Sequence, residues 1–169
     1  MTPFLRSTPL RMLLLGLSMA IVAAAAAAPF PDKPVRLIVP FSPGGGTDLV
    51  ARTLGSGLAR ELGQPVIVEN KPGGGTIIGT DLVAKSAPDG YTLLVATFAH
   101  AVNPSLQPSL PYATDKAFAP VILVSRGPNV LVVRSSSPFR TVNDVVTAAK
   151  AAPERVTYAS QGVGTSAHL

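Results

Sequence analysis

The chain has 169 residues, no cysteine, and 14 Lys+Arg against 9 Asp+Glu. Without thiols it forms no disulfide and offers no thiolate as nucleophile or ligand. Its positive charge is mild and scattered rather than gathered into runs, which argues against nucleic acid as a partner.

The first 27 residues read as a signal peptide. Arg6 and Arg11 supply a positive start, residues 12–22 are apolar, and residues 23–28 are small, with cleavage expected near Ala27. The apolar run is short for a membrane span, and its second half is weakly apolar alanine. It carries no adjacent Arg pair, so the general secretory route is expected rather than the twin-arginine route. Loss of the leader leaves 12 basic and 9 acidic residues, a net charge of +3. The rest of the chain suffices for one ordinary domain core.

Beyond the leader, strand and helix patterns alternate. Residues 35–39 form the short apolar run Val-Arg-Leu-Ile-Val, typical of a buried parallel strand. A glycine loop follows, and then Ala51, Leu54, Leu58 and Leu62 fall on one helical face. Thr47 is the expected N-cap, with Asp48 in the first turn where the helix dipole favours a carboxylate. Gly63 and Pro65 stop that helix. Residues 66–68 predict a second strand, and a second helix should end near Lys85 or Ser86. Pro88-Asp89-Gly90 is a turn, because proline pre-sets φ and glycine accepts a positive one. Residues 91–96 predict a third strand. This alternation implies an α/β fold with a parallel sheet. Residues 107–120 read as a surface excursion, and 121–124 and 129–133 as two further strands. Residues 141–151 predict an amphipathic helix with Thr141 and Asp144 at capping-box spacing. Residues 156–160 alternate like a strand and lead to a last glycine loop. Only residues 165–169 remain for the next helix, so the chain is expected to be a fragment.

The sequence Pro-Gly-Gly-Gly-Thr occurs at 43–47 and again at 72–76, and a looser copy, Gln161-Gly162-Val163-Gly164-Thr165, closes the chain. A tight strand-to-helix connection often contains glycine for purely structural reasons. Three such loops with a threonine at the same point favour a ligand cradle, because bare backbone N–H groups at a helix N-terminus suit an anion. Ligands of open α/β sheets collect beyond the carboxyl ends of the strands. That rule gathers residues 42–47, 70–76 and 97–100 around one crevice.

No catalytic set assembles. His100 and His168 are the only histidines, and neither a Gly-x-Ser-x-Gly elbow nor metal-ligand spacing is present. The first glycine loop has Leu49 where a dinucleotide fingerprint needs its third glycine, and it lacks the lysine of a phosphate-binding P-loop. Residues 162–167 match Gly-x-Gly-x-x-Ala, a short and common pattern. Lys71 is the one cation inside the loops, and Arg52, a turn into the helix, is expected to point away. An anion would then be held by backbone N–H and hydroxyl groups, at about 1.5–3 kcal/mol per bond to a charged partner.

The ordered motifs Pro40-Phe41-Ser42-Pro43-Gly44-Gly45-Gly46-Thr47-Asp48, Val68-Glu69-Asn70-Lys71-Pro72-Gly73, Pro88-Asp89-Gly90-Tyr91-Thr92-Leu93, Asn103-Pro104, Phe118-Ala119-Pro120-Val121 and Ser160-Gln161-Gly162-Val163-Gly164-Thr165 resemble those of the tripartite tricarboxylate transporter substrate-binding proteins, or Bug receptors. The resemblance implies a periplasmic-binding-protein-like fold of two α/β lobes. Residues 28–124 would belong to the first lobe, and residues 125–169 would begin a truncated second lobe. It implies a periplasmic receptor for a small organic carboxylate, not an enzyme, with membrane transporter subunits as partners, no cofactor, and a monomeric state in complete members. Phe41, Ser42, Pro43, Gly44, Gly45, Gly46, Thr47, Thr97 and His100 would line the first-lobe side of the ligand site. Ser160, Gly162, Gly164 and Thr165 would begin the second-lobe side. A truncated chain is expected to bind more weakly than a complete receptor. Two alternatives are an exported α/β enzyme with its catalytic residues in the missing part, and a non-functional gene fragment.

Overall fold

The run Val35–Val39 forms β1, and every residue in it except Arg36 is buried. The apolar side chains alternate to both sides, so this strand needs cover on both faces and takes the centre of the sheet. It is flanked by β2, Val66–Asn70, and β3, Thr92–Leu94, in the order β2-β1-β3. Both pairings are parallel; Leu37 stands opposite Val68 on one side and Leu93 on the other. This is a computed structural model that describes residues 29–169, so the leader expected at residues 1–27 lies outside the described residues. Every element lies within the unit Lys33–Leu169.

Helix α1, Gly46–Leu62, joins β1 to β2. Its Ala51 is fully buried against Leu37 and Val39, with Leu54, Val66, Val68, Leu93 and Val95 packed around them. The backbone also comes close here: a Cβ on Gly55 would lie 3.2 Å from Val68. Helix α2, Ile77–Ala84, follows a 3-10 turn at Gly74–Thr76 and leads to β3. Helix α3, Phe98–Leu106, starts directly after β3 and carries Pro104 in its last turn. Arg36 of β1 and Glu69 of β2 form a two-bond ion pair, Nε to Oε1 at 2.6 Å and Nη2 to Oε2 at 3.0 Å. The planar guanidinium matches the carboxylate and ties the central strand to its edge neighbour.

The parallel sheet and its crossover helices follow the sequence pattern. The first N-cap does not: α1 begins at Gly46 behind an extended Gly45, and Thr47 lies inside the helix. Thr97 is the extended N-cap of α3, and residues 98–100 form its first turn. Helix α4, Val142–Ala151, carries the expected capping box, in which the Thr141 hydroxyl accepts from Asp144 N and Asp144 accepts from Thr141 N.

The expected strands at 121–124, 129–133 and 156–160 do not form. Strand propensity is local, but a strand exists only through a ladder with a neighbour. Among the described residues no strand runs beside these segments.

Another stretch of backbone comes closest to a glycine at Gly79 of α2, where an added Cβ would lie 2.7 Å from Lys71 O and 3.0 Å from Pro40. Gly79→Ala is expected to destabilise by about 1–3 kcal/mol through overpacking. Gly57→Ala, whose added Cβ meets nothing within 4 Å in the interior of α1, is expected to stabilise by about 0.5–1 kcal/mol through helix propensity. Urea unfolding of both variants checks the pair. Equal midpoints would mean that α2 does not sit this close to the strand ends.

Candidate functional site

The strand order reverses between β1 and β3: the chain moves from β1 to β2 on one side, then returns to β3 on the other. The crevice of such a sheet lies beyond the carboxyl ends of the two strands flanking the reversal. Phe41 to Thr47 leave β1 at that point, and Thr97 and His100 follow β3. Ser42, Pro43, Gly44, Gly45 and Gly46 are exposed, while Phe41 and Thr47 are half-buried.

The base of this first loop is a closed polar network around Asp48. The carboxylate is 5% exposed. Its Oδ2 accepts from Gly44 N at 2.9 Å and from Arg52 Nε at 3.0 Å. Its Oδ1 accepts from Asn70 Nδ2 at 2.9 Å, which also donates to Phe41 O at 3.1 Å. Arg52 Nη2 donates to Asn70 Oδ1 at 3.0 Å. Arg52 therefore turns toward the loop base rather than away from it, through an i,i+4 pairing. These bonds hold the Asp48 carboxyl well down, to about 2, with the Arg52 bond the largest cause and the Gly44 N–H next. Gly44 itself has φ 87, a conformation that favours glycine. Its N–H is thus committed inside the protein. The N-terminus of α1 has no side-chain cap, and a Cβ on Gly45 would meet only Ser42 O at 3.9 Å, while one on Gly46 would meet nothing within 4 Å. The first turn of α1 is therefore a set of helix-end N–H groups under an open surface.

The other two loops are built differently. Residues 73–76 all have positive φ, ending in the non-glycine Thr76 at φ 81. Asn103 of α3, 1% exposed, clasps this strained stretch by donating from Nδ2 to Gly75 O at 2.9 Å and to Thr76 Oγ1 at 3.2 Å. The last loop packs onto the same place. A Cβ on Gly164 would lie 3.2 Å from Leu106 and 3.6 Å from Asn103 Oδ1, and one on Gly75 would lie 3.7 Å from Val163 O. Thr165, buried, donates from Oγ1 to Gly162 O at 2.7 Å, and Ser160 Oγ accepts from Gly162 N at 3.3 Å. Ser160, Gly162, Gly164 and Thr165 form a local knot whose buried part rests on α3.

Thr97 is the extended residue that opens α3, and its carbonyl accepts from His100 N. The His100 ring stacks on Tyr112 at 6.4 Å and meets the edge of Phe118 at 5.0 Å. Burial pushes its pKa down, which keeps the imidazole neutral. Its Nδ1 finds no hydrogen-bond partner among the described residues. His100 thus serves an aromatic cluster under the 107–120 excursion. A cavity of about 480 Å³ opens beside that excursion, between Pro104, Leu110, Tyr112 and Asp115, and no residue of the three glycine loops lines it. Among the described residues no group of three or more His, Cys, Asp or Glu stands ready to hold a metal ion.

Sequence reasoning expected Arg52 to point away from the loop and gave no side-chain role to Asn70 or Asn103. Arg52 was within reach through its spacing to Asp48. The two asparagines donate across 22 to 29 positions, through topology alone.

The folded pKa of Asp48 lies below the ordinary 3.8, at about 2. Its charged form therefore adds stability that is full above about pH 4 and is lost as the pH falls toward 2. In Asp48→Asn the melting-temperature deficit against the parent chain is expected to be constant above pH 5 and to shrink between pH 4 and 2. A deficit independent of pH down to 2 would show that the carboxylate charge is not what the network holds.

With the geometry in hand, comparisons with known proteins extend it. The model of the tripartite tricarboxylate transporter family receptors matches residues 50–169. BugT of Bordetella pertussis is 43% identical over 151 residues, 88% of this chain and 46% of BugT. The chain spans about half the length of the curated relatives it matches. Among solved structures, the periplasmic binding protein BugD superposes over 82% of this chain and 46% of its own, with TM-score 0.68 and 33% identity. Rpa4515 of R. palustris, solved with adipate, covers 80% of this chain and 46% of its own, with TM-score 0.74 and 34% identity. MatC of Rhodopseudomonas palustris, solved with bound malate, covers 56% and 33%, with TM-score 0.54 and 44% identity. The fold is therefore that of the periplasmic binding proteins, in part, and the family is one of receptors rather than enzymes. The chain belongs to the tripartite tricarboxylate transporter family of receptors.

Proposed function

We propose that this chain captures a small dicarboxylate in the periplasm for a tripartite transporter in the membrane. The observation that carries the reading is the uncapped N-terminus of α1 beneath exposed Gly45 and Gly46, at the point where the strand order reverses. Its N–H groups and the helix dipole suit one carboxylate. Malate and adipate, the ligands of MatC and Rpa4515, each carry two. The targeting segment read from residues 1–27 supports export, and among the described residues no helix is long and apolar enough to cross a membrane. The site residues on the first side are Phe41 to Thr47. Those on the second side are Ser160, Gly162, Gly164 and Thr165, in a second lobe that begins at residue 125.

Each charge-assisted bond is worth about 1.5–3 kcal/mol, and every 1.4 kcal/mol is about tenfold in affinity. The chain spans about half of its relatives' length. If it supplies two donors fewer than a full-length relative, it binds at least about a hundredfold more weakly.

Calorimetric titration with malate and adipate tests the reading. Saturable binding to this chain is expected, and Gly45→Val should abolish it while lowering the melting temperature only modestly, because valine is a poorer N-cap than glycine. The backbone of Gly45 is extended, with φ −79, so valine fits the fold there and only fills the open side of the loop. No heat with either diacid at millimolar concentration would refute the reading. Unchanged affinity in Gly45→Val would remove the first loop from the site.

A further inference from the structure

Asn103 of α3 is fully buried, and its amide nitrogen donates to two atoms of the second glycine loop. One nitrogen thereby holds a carbonyl, Gly75 O, and a hydroxyl, Thr76 Oγ1. The loop needs holding. Its φ is positive at residues 73–76, and the last of them, Thr76, is β-branched, a residue type that is strained in this conformation. Thr80 adds a further bond, from its buried Oγ1 to Thr76 O at 2.9 Å. We propose that Asn103 is a positioning residue of the carboxylate site: it keeps residues 73–76 left-handed, and that shape seats residues 162–165 and sets them against the first loop.

Contacts run from each loop to the next. Helix α2 continues directly from Thr76, and its Gly79 lies against Pro40, the residue before Phe41 of the first loop. On the other side, a Cβ on Gly75 would lie 3.7 Å from Val163 O, and Gly164 comes up against Leu106 and Asn103 Oδ1. Gly164 has φ 79 and no side chain to hold the two segments apart. Thr165, the residue after it, is buried. The second-side residues therefore rest on Asn103 and on the loop that it clasps. A displaced 73–76 would carry Gly164 and Thr165 away from the first loop, and a binding group misplaced by about 1 Å loses much of its effect. The ligand-binding role rests on the carboxylate reading above, whereas the seating stands on these contacts alone.

Amide exchange followed by NMR, with calorimetric titration of malate and adipate, tests this on the full 169-residue chain. The amide of Ile78, bonded to Gly73 O, reports on the second loop, and that of Thr165, bonded to Gly162 O, on the last. Asn103→Asp keeps the side chain's shape and removes both donors. It should speed exchange at Ile78 and Thr165 while the amides of β1 keep their protection. It should also weaken diacid binding at least about tenfold, the loss of one charge-assisted donor. A rescue separates positioning from plain stabilisation. Thr76→Gly relieves the strain that Asn103 offsets, so in that background Asn103→Asp should cost no more than about threefold in affinity. Equal losses in both backgrounds would mark an asparagine that only stabilises the fold, and would overturn the proposal. So would fast exchange at Ile78 beside unchanged exchange at Thr165, or normal affinity in Asn103→Asp. In the parent chain at low urea the two amides should open in one step, which decides the seating even where Asn103→Asp does not fold; separate openings overturn it. No heat from the parent chain with either diacid refutes the ligand reading and takes the site role with it, while loss of binding in the variant alone leaves both standing.

Discussion

The Asp48 carboxylate joins three pieces of backbone that share no secondary structure: the loop after β1, the first turn of α1 and the end of β2. A buried carboxylate is tolerated only with its acceptor sites filled. Here Gly44 N, Arg52 and Asn70 fill them, and Asn70 passes the constraint on to Phe41 O. Each partner is itself fixed by another, since Arg52 also bonds Asn70. The loop is therefore shaped before any ligand arrives, which lowers the ordering cost of binding. The same bonds decide which N–H groups remain. Gly44 N points down into the network, and the free donors begin after it.

Much of the sheet and its first helices could be read from sequence because their signals are local. The apolar run of β1, the one-sided face of α1 and the Thr141–Asp144 spacing each lie within a few residues. The N-cap was misplaced because a threonine stands where a capping side chain is common, whereas the chain uses the extended Gly45 without any side-chain cap. Arg52 was misjudged by considering the loop and not the helix; Asp48 lies four residues before it, within pairing distance on one face. Asn70 and Asn103 carried no such signal. Their partners are 22 to 29 positions away and become neighbours only once β2 and α3 take their places.

The strands expected at 121–124 and 129–133 show the same limit from the other side. Their composition is as strand-like as that of β1. What β1 has and they lack is a neighbour on each side, and that property belongs to the sheet rather than to the segment. The three glycine loops differ for a similar reason. One sequence pattern yields an open helix end at Gly45, a left-handed stretch clasped by Asn103 at 73–76, and a knot resting on α3 at 162–165. Repetition in sequence fixes the backbone freedom available, and the packing around each loop decides how it is used.

The cations nearest the first loop are already engaged. Arg52 is bound to Asp48 and Asn70, and Lys71 Nζ lies 3.6 Å from Glu69 Oε2. An anion at the proposed site therefore meets amide donors and a helix dipole rather than an unpaired charge. A dipole end contributes only about 0.3–1 kcal/mol where water reaches it, so affinity depends on how many N–H groups reach the ligand at once. Amide donors are fixed in position, unlike a lysine on its flexible stem. Such a site distinguishes ligands by the separation and orientation of their carboxylates, and malate and adipate differ in that separation while sharing the same charged groups.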